Sequence, residues 1–162
     1  MTGVLSDLSR RTRLAQSDRE LGFVLVNDSM ALAPYRQAVL WLSDVGAWSL
    51  SGVVQVDANV PYVQWLNAVA QHLQSKMEGT SGVFMAKDLP EALAADWASW
   101  WPTHALWLSS GSAAVSGAGI FVRDQPWEAE ELTALQEWSE VWWYAFSAVH
   151  RPRLGRLKAW RP

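Results

Sequence analysis

Residues 104–150, HALWLSSGSAAVSGAGIFVRDQPWEAEELTALQEWSEVWWYAFSAVH, carry the clearest structural signal in the chain. His104–Ser109 reads as a strand, Ser110-Gly111-Ser112 as a turn and Gly117–Arg123 as a second strand. Pro126 then opens a long helix, and Glu128, Glu130 and Glu131 suit its positive N-terminal end. Its apolar residues Leu132, Leu135, Trp138, Trp142, Phe146 and Val149 recur at intervals of 3, 3, 4, 4 and 3, which is one buried helix face. Trp143 falls about 100° round from that stripe, since each helical residue turns by that angle. It is expected to be exposed, and an exposed Trp on a terminal helix suggests a homodimer through the terminal helices.

Upstream, the pattern repeats in looser form. In residues 16–33, QSDRELGFVLVNDSMALA, a helix is predicted: Ser17 can cap, Glu20 follows three residues later and Pro34 ends the run. Arg36–Ser43 reads as a strand buried on both faces, and Asp44-Val45-Gly46 as a turn. Trp48–Val56 alternates, with Trp48, Leu50, Val54 and Val56 on one face and Ser49, Ser51 and Gln55 on the other. Pro61 enters a helix running to about Lys76, with Tyr62, Leu66, Val69 and Leu73 on one face. Gly82–Ala86 is a short strand, and Leu89–Trp101 gives one or two helical turns ended by Pro102. The order is helix, hairpin, helix, irregular aromatic stretch, two strands, long helix. That is an α+β fold with a mainly antiparallel sheet and helices packed on it. Three divisions follow: a basic, partly helical lead-in at 1–15, one folded domain at 16–150 and a basic tail at 151–162.

Composition narrows the function. A chain of 162 residues that is 50% hydrophobic and 18% charged is one globular domain with a real core. Cysteine is absent, which excludes disulfides, thiolate metal sites, iron–sulfur clusters and cysteine nucleophiles. The three histidines, His72, His104 and His150, lie far apart and form no metal-ligand spacing, so no metal is expected. Ser49-Leu50-Ser51-Gly52 and Ser116-Gly117-Ala118-Gly119 fall short of a serine-hydrolase elbow and of a dinucleotide loop. No carboxylate pair stands out, so the chain reads as non-catalytic and without a cofactor. No run approaches the roughly 18 apolar residues of a membrane span, and the N-terminus lacks the apolar core of a secretory signal.

Charge is segregated. Between Glu20 and His150 four bases stand against fourteen acids, a field that repels phosphate backbones, so no nucleic-acid partner is expected. The tail RPRLGRLKAWRP carries Arg151, Arg153, Arg156, Lys158 and Arg161 and no acid. It reads as a solvated terminus, as a juxtamembrane segment with Trp160 at headgroup level, or as a nucleic-acid tail.

Tryptophan is the odd residue, at 12 copies. Trp41, Trp65, Trp107 and Trp138 fall on faces assigned to the core. The cluster Asp96-Trp97-Ala98-Ser99-Trp100-Trp101 sits in the least regular segment, where it can close the core, bind a partner or rim a pocket for a flat or apolar ligand. The candidate pocket comprises Trp48, Met85, Trp97, Trp100 and Trp101.

With these elements in place the chain resembles a GAF domain. Leu106–Leu108, Gly117–Val122, Pro126-Trp127 and Glu130-Glu131-Leu132 fill the positions of that fold's last two strands, aromatic loop and acidic helix start. The resemblance implies a central, mainly antiparallel sheet, with the N- and C-terminal helices on one face and shorter helices and loops on the other. It implies a sensory or interaction module, although the cysteines of bilin-binding and methionine-sulfoxide-reducing members are missing and cyclic-nucleotide residues are not recognisable. The segments ELGFVLVNDSMALAPYRQAVLW, VDANVPYVQWL and RDQPWEAEELTAL also resemble the N-terminal domain of HlyD-type membrane fusion (periplasmic adaptor) proteins. That narrower resemblance implies a domain on the cytoplasmic side of the inner membrane, a basic stretch leading into a membrane helix, and a secretion-system partner. The alternative is a free-standing GAF domain that senses an unidentified small molecule.

Overall fold

The computed structural model describes residues 2–150. The basic N-terminal stretch is helical over nearly its whole length. It forms helix α1 (Thr2–Leu14), which buries Leu8 and packs on the last helix of the chain. α2 (Asp18–Val26) starts where its cap predicts: the Ser17 hydroxyl accepts from Glu20 N–H at 3.1 Å, and the Glu20 carboxylate accepts from Gln16 N–H at 3.2 Å. The predicted helix stops short at Val26 and continues as a 3-10 turn over Asp28–Ala31. There the buried Ser29 hydroxyl donates to Leu25 C=O at 2.6 Å and accepts from the Tyr35 phenol at 2.8 Å. Burial raises the Tyr35 pKa to about 12, so the phenol keeps its proton for that bond.

The remaining elements are β1 (Gln37–Leu42), β2 (Gly46–Leu50), α3 (Pro61–Met77), β3 (Gly82–Phe84), α4 (Glu91–Ala94), α5 (Trp97–Trp100), β4 (His104–Ser109), β5 (Gly117–Arg123) and α6 (Ala129–Val149). The five strands form one antiparallel sheet in the order β2-β1-β5-β4-β3. The central pair, β1 and β5, joins distant parts of the chain, from Gln37 opposite Val122 to Leu42 opposite Gly117. Gly117 permits this closeness: a Cβ there would lie 2.2 Å from the Trp41 carbonyl oxygen.

Alternation along the strands builds two cores. Ala38, Leu40, Leu42, Leu106, Leu108 and Phe121 face α1, α2 and α6. Val39, Trp41, Ala105, Trp107, Ile120 and Val122 face α3, α4 and α5. The arrangement matches the expected one, with the N- and C-terminal helices together on one face.

β2 departs from its predicted alternation. The pairing with β1 slips between Leu40 and Trp41, so that Trp48 is an extra residue between Ser49 and Ala47. This bulge turns Trp48 toward the α2–α6 core and Leu50 toward the α3 core, whereas simple alternation put them on one face. Trp48 meets α2 at Gly22, where a Cβ would come within 2.8 Å of the indole. The strand also ends at Leu50, and Val54, expected in the core, is 96% exposed.

α6 begins three residues after Pro126 because a buried arginine holds the entry to it. Arg123, 5% exposed, donates through Nε to Gln125 C=O, through Nη1 to Pro34 C=O, and through Nη2 to Pro126 C=O. It also makes a two-pronged ion pair with Glu131 and lies 4.0 Å from the centre of the Trp127 ring. The guanidinium holds the Glu131 carboxyl below the ordinary glutamate range. Among the described residues no helix is long and apolar enough to cross a membrane, and no group of three or more His, Asp or Glu side chains could hold a metal.

Candidate functional site

α3 enters through Pro61 with no side-chain cap, and its first turn sets Tyr62 and Trp65 three residues apart on one side. These two rings meet the irregular segment between β3 and β4. Trp101 packs edge-on to Trp65 at 4.7 Å, Trp97 packs edge-on to Trp101 at 5.1 Å, and Phe84 of β3 closes against Trp97 at 5.6 Å. The result is an aromatic layer between the sheet and the short helices.

Each indole of the layer donates to a defined acceptor. Trp65 Nε1 donates to Leu93 C=O at 2.9 Å, and Trp97 Nε1 to Pro102 C=O at 2.7 Å. These bonds fasten α4 and the exit of α5 over the sheet. Trp101 Nε1 donates to the Tyr62 hydroxyl at 2.8 Å, and that hydroxyl donates in turn to the Gln37 side-chain carbonyl on β1. Burial, partly opposed by the bond from Trp101, raises the Tyr62 pKa to about 12, so the relay stays protonated throughout the ordinary pH range. Trp100 leans over Tyr62 at 5.3 Å and is 41% exposed. The start of the segment is tied down as well. Met85 N–H donates to the Asp88 carboxylate at 2.7 Å, and Lys76 of α3 donates to Asp88 C=O at 2.9 Å.

The predicted pocket residues therefore divide. Trp97, Trp100 and Trp101 lie together, the first and last buried in the packed layer and Trp100 half-exposed, and Met85 stands exposed at the head of the same segment. Trp48 does not join them. The β2 bulge places it on the opposite face, edge-on to Phe146 at 5.5 Å and to His150 at 5.7 Å. Trp143 is not an exposed dimer contact. It is 2% exposed, because the β4–β5 loop lies against α6 and Val115 N–H donates to the Ser147 hydroxyl at 3.2 Å. The outward aromatic at that end of α6 is its neighbour Tyr144, at 80% exposure. Arg151, Arg153, Arg156, Lys158 and Arg161 lie outside the described residues.

Gln37 and Tyr62 were not singled out from the sequence as site residues. The usable signal was Tyr62 and Trp65 at a three-residue helical spacing, facing a tryptophan-rich segment. A surface groove was missed entirely. About 850 Å³ of open space lies between α6, the β4–β5 loop and the chain around Gly79 and Ser81. Its trace in the sequence is the four-residue spacing of Ser139, Trp143 and Ser147, opposite the serine-rich turn Ser109–Ser112.

The chain matches no family model and no curated protein. Solved structures are similar. The N-acylhomoserine lactone-dependent LuxR-family transcription factor CepR2 of Burkholderia cenocepacia superposes with a TM-score of 0.62 at 20% identity, over 94% of this chain and 97% of that one. The GAF-B domain of DevS from Mycobacterium smegmatis superposes with a TM-score of 0.54 at 12% identity, over 88% and 98%. The fold is GAF-like. At these identities the likeness is one of architecture, and it spans nearly the whole of all three chains. The GAF-like sheet explains where the aromatic layer sits: helices and loops cross one face of it, and the layer fills the space beneath them.

Proposed function

We propose that this GAF-like domain is a non-catalytic sensor of a small molecule, held between the sheet and the α3–α5 segment. The observation that carries the reading is the relay Gln37–Tyr62–Trp101 at the edge of an apolar aromatic layer. A few polar groups converging beside an apolar layer are what a ligand site needs to orient a polar head while burying an apolar body, here once the packed rings part to admit it. Half-exposed Trp100 covers that edge, so its displacement gives access without unfolding the sheet. The named similarity to a lactone-dependent regulator supports a ligand of that kind, an acyl chain joined through an amide to a polar ring.

The test is thermal unfolding and tryptophan fluorescence with N-acyl homoserine lactones of graded chain length. At a ligand concentration of about 100 times Kd the domain gains about 2.7 kcal/mol, several degrees in Tm. Tyr62→Phe keeps the ring and removes the hydroxyl, so it is expected to weaken the response at unchanged chain-length preference. No response to any lactone, or an equal response in Tyr62→Phe and Trp100→Ala, removes the support for this site.

The finer reading, an N-terminal domain of a HlyD-type adaptor on the cytoplasmic side of the inner membrane with a secretion partner, rests on the sequence segments quoted above and on the basic stretch 151–161. Neither solved structure named above is described as a secretion protein. A reading frame that continues past Pro162 into an apolar run of about 20 residues supports it, and a stop codon there sinks it.

A further inference from the structure

Charge divides the chain into two poles. Residues 1–19 and 151–162 hold nine of its thirteen Lys and Arg beside two acids, and the rest holds four against fourteen. The fold gathers the N-terminal part of the basic pole at one corner. α1 ends in Arg10, Arg11, Arg13 and Leu14, a short turn follows, and α2 begins with Asp18 and Arg19. Both helices bury their inner faces against α6, through Thr12 on Trp138 and Leu21 on Trp142, so their exposed residues share the outer side of that layer. The point where residues 151–162 begin is fixed at the same corner. His150 closes α6 with its Nδ1 3.0 Å from the Asp18 carboxylate, next to Arg19. The sequence that follows carries five bases and no acid.

The charges of the corner have different work. Arg11 bridges Asp7 and Asp28 at 3.4 and 3.3 Å. Asp18 lies against His150, and Glu20 accepts from Gln16 N–H in the cap of α2. Arg10, Arg13 and Arg19 are exposed. Two apolar side chains are exposed with them, Leu14 at 66% and Phe23 at 59%. Arg10 and Leu14 are four residues apart on α1, and Arg19 and Phe23 four apart on α2, so each apolar side chain shares a helix face with a base.

That pairing of bases with exposed apolar groups selects the occupant. A flat anionic lipid leaflet attracts the bases with its headgroups and receives Leu14 and Phe23 at the acyl boundary. The acidic remainder of the chain repels a polyanion that wraps the domain, whereas a plane touches only one side of it, and charges farther than a Debye length of about 8 Å are screened at physiological salt. Residues 151–162 are themselves basic, so like charge opposes their covering this corner.

We propose that Arg10, Arg13, Leu14, Arg19 and Phe23 dock the domain on an anionic lipid surface, with the bases of 151–161 as a second anchor. A single weak anchor attaches reversibly, and two together hold. The proposal is independent of the adaptor reading and of any ligand in the aromatic layer: a chain that stops at Pro162 docks in the same way as a peripheral protein.

The test is co-sedimentation of the 162-residue chain with vesicles of phosphatidylcholine alone and of phosphatidylcholine mixed with phosphatidylglycerol. The expected result is binding to the mixed vesicles only, weakening as salt rises. Each base held near an anionic surface is worth about fivefold in partitioning. Arg10→Gln, Arg13→Gln and Arg19→Gln together are therefore expected to weaken binding by about 10- to 100-fold. Leu14→Ser with Phe23→Ser is expected to remove the part of the binding that survives high salt. All five side chains are exposed, so each variant is expected to melt like the wild type, which is the control for folding. A third variant, with the five bases of 151–161 changed to Gln, is expected to keep a weaker preference for the mixed vesicles. The proposal is overturned if the mixed vesicles bind no chain, if neutral vesicles bind as much, or if the third variant loses all preference. It is also overturned if either corner variant sediments like the wild type, which assigns lipid binding to residues 151–161 alone. Equally tight binding to duplex DNA, lost in the arginine variant and kept in the Leu14/Phe23 variant, assigns the corner to a polyanion and overturns it as well.

Discussion

The two faces of the sheet use the same residue, tryptophan, for different work. On the face covered by α1, α2 and α6, Trp138 Nε1 donates to the Thr12 hydroxyl at 3.0 Å and Trp142 Nε1 to Leu21 C=O at 2.8 Å. Both rings are fully buried, and each bond spans more than a hundred residues of sequence. They fasten three long helices to one another. On the face covered by α3, α4 and α5, Trp65 and Trp97 donate to carbonyls of the irregular segment itself, and Trp101 donates into a relay that ends on the sheet. There the indoles hold down short pieces of chain with little helical hydrogen bonding of their own, under a half-exposed rim. The first arrangement makes a rigid base. The second leaves a cover that can open at lower cost, as ligand-binding segments require.

That contrast can be broken most severely at the entry to α6. Arg123→Ala strands Glu131 and three carbonyls, and is expected to cost about 3–5 kcal/mol in urea unfolding. The same pair sets an acid limit. Because Glu131 has a lowered pKa in the folded state, its contribution is complete above the unfolded value near 4.5 and is lost as pH falls through the lowered folded value. An unfolding-versus-pH series should show that acid limb in the wild type and a flatter one in Arg123→Met.

The rigid base gives an effect of the same size. Trp142→Ala opens a large cavity among α2, α6 and the sheet, and about 3–5 kcal/mol is expected. Trp138→Phe removes the tie to Thr12 and leaves a small cavity where part of the indole was. About 1–3 kcal/mol is expected, with faster amide exchange concentrated in α1.

Smaller effects sharpen the contrast from the other face. Trp101→Phe frees the Tyr62 hydroxyl from its donor for about 1 kcal/mol, and amide exchange should quicken across 85–101 while α6 stays protected. Trp100→Ala is expected to change stability by no more than about 0.5 kcal/mol, yet to alter any ligand response of the aromatic layer. If 85–101 exchanges as slowly as α6 in the wild type, the distinction between base and cover is wrong.

Much of this could be read before any coordinates. β4, β5 and α6 follow from their periodicity, and Ser17 and Glu20 mark the start of α2 to the residue. Trp97, Trp100 and Trp101 were recognisable as one cluster because they lie within five residues. The failures share a cause. One extra residue in β2 moved Trp48 to the other face, and nothing in WSLSGVVQV distinguishes a bulge from plain alternation. Trp143 was judged by its angle from the apolar stripe, but a loop from 30 residues upstream lies over that flank of α6. Tyr62 acquires its role from Gln37 and Trp101, neither of which is near it in sequence.

By itself, then, the sequence determined what neighbouring residues can settle among themselves: where helices start, which stripe of each is apolar, which turns reverse the chain, and that cysteine chemistry is absent. Only the tertiary structure decided which face of the sheet each tryptophan serves, which indole has an acceptor and which does not, and where open space remains. Those outcomes depend on strand register and on segments that meet across the sheet, and a shift of a single residue reverses them.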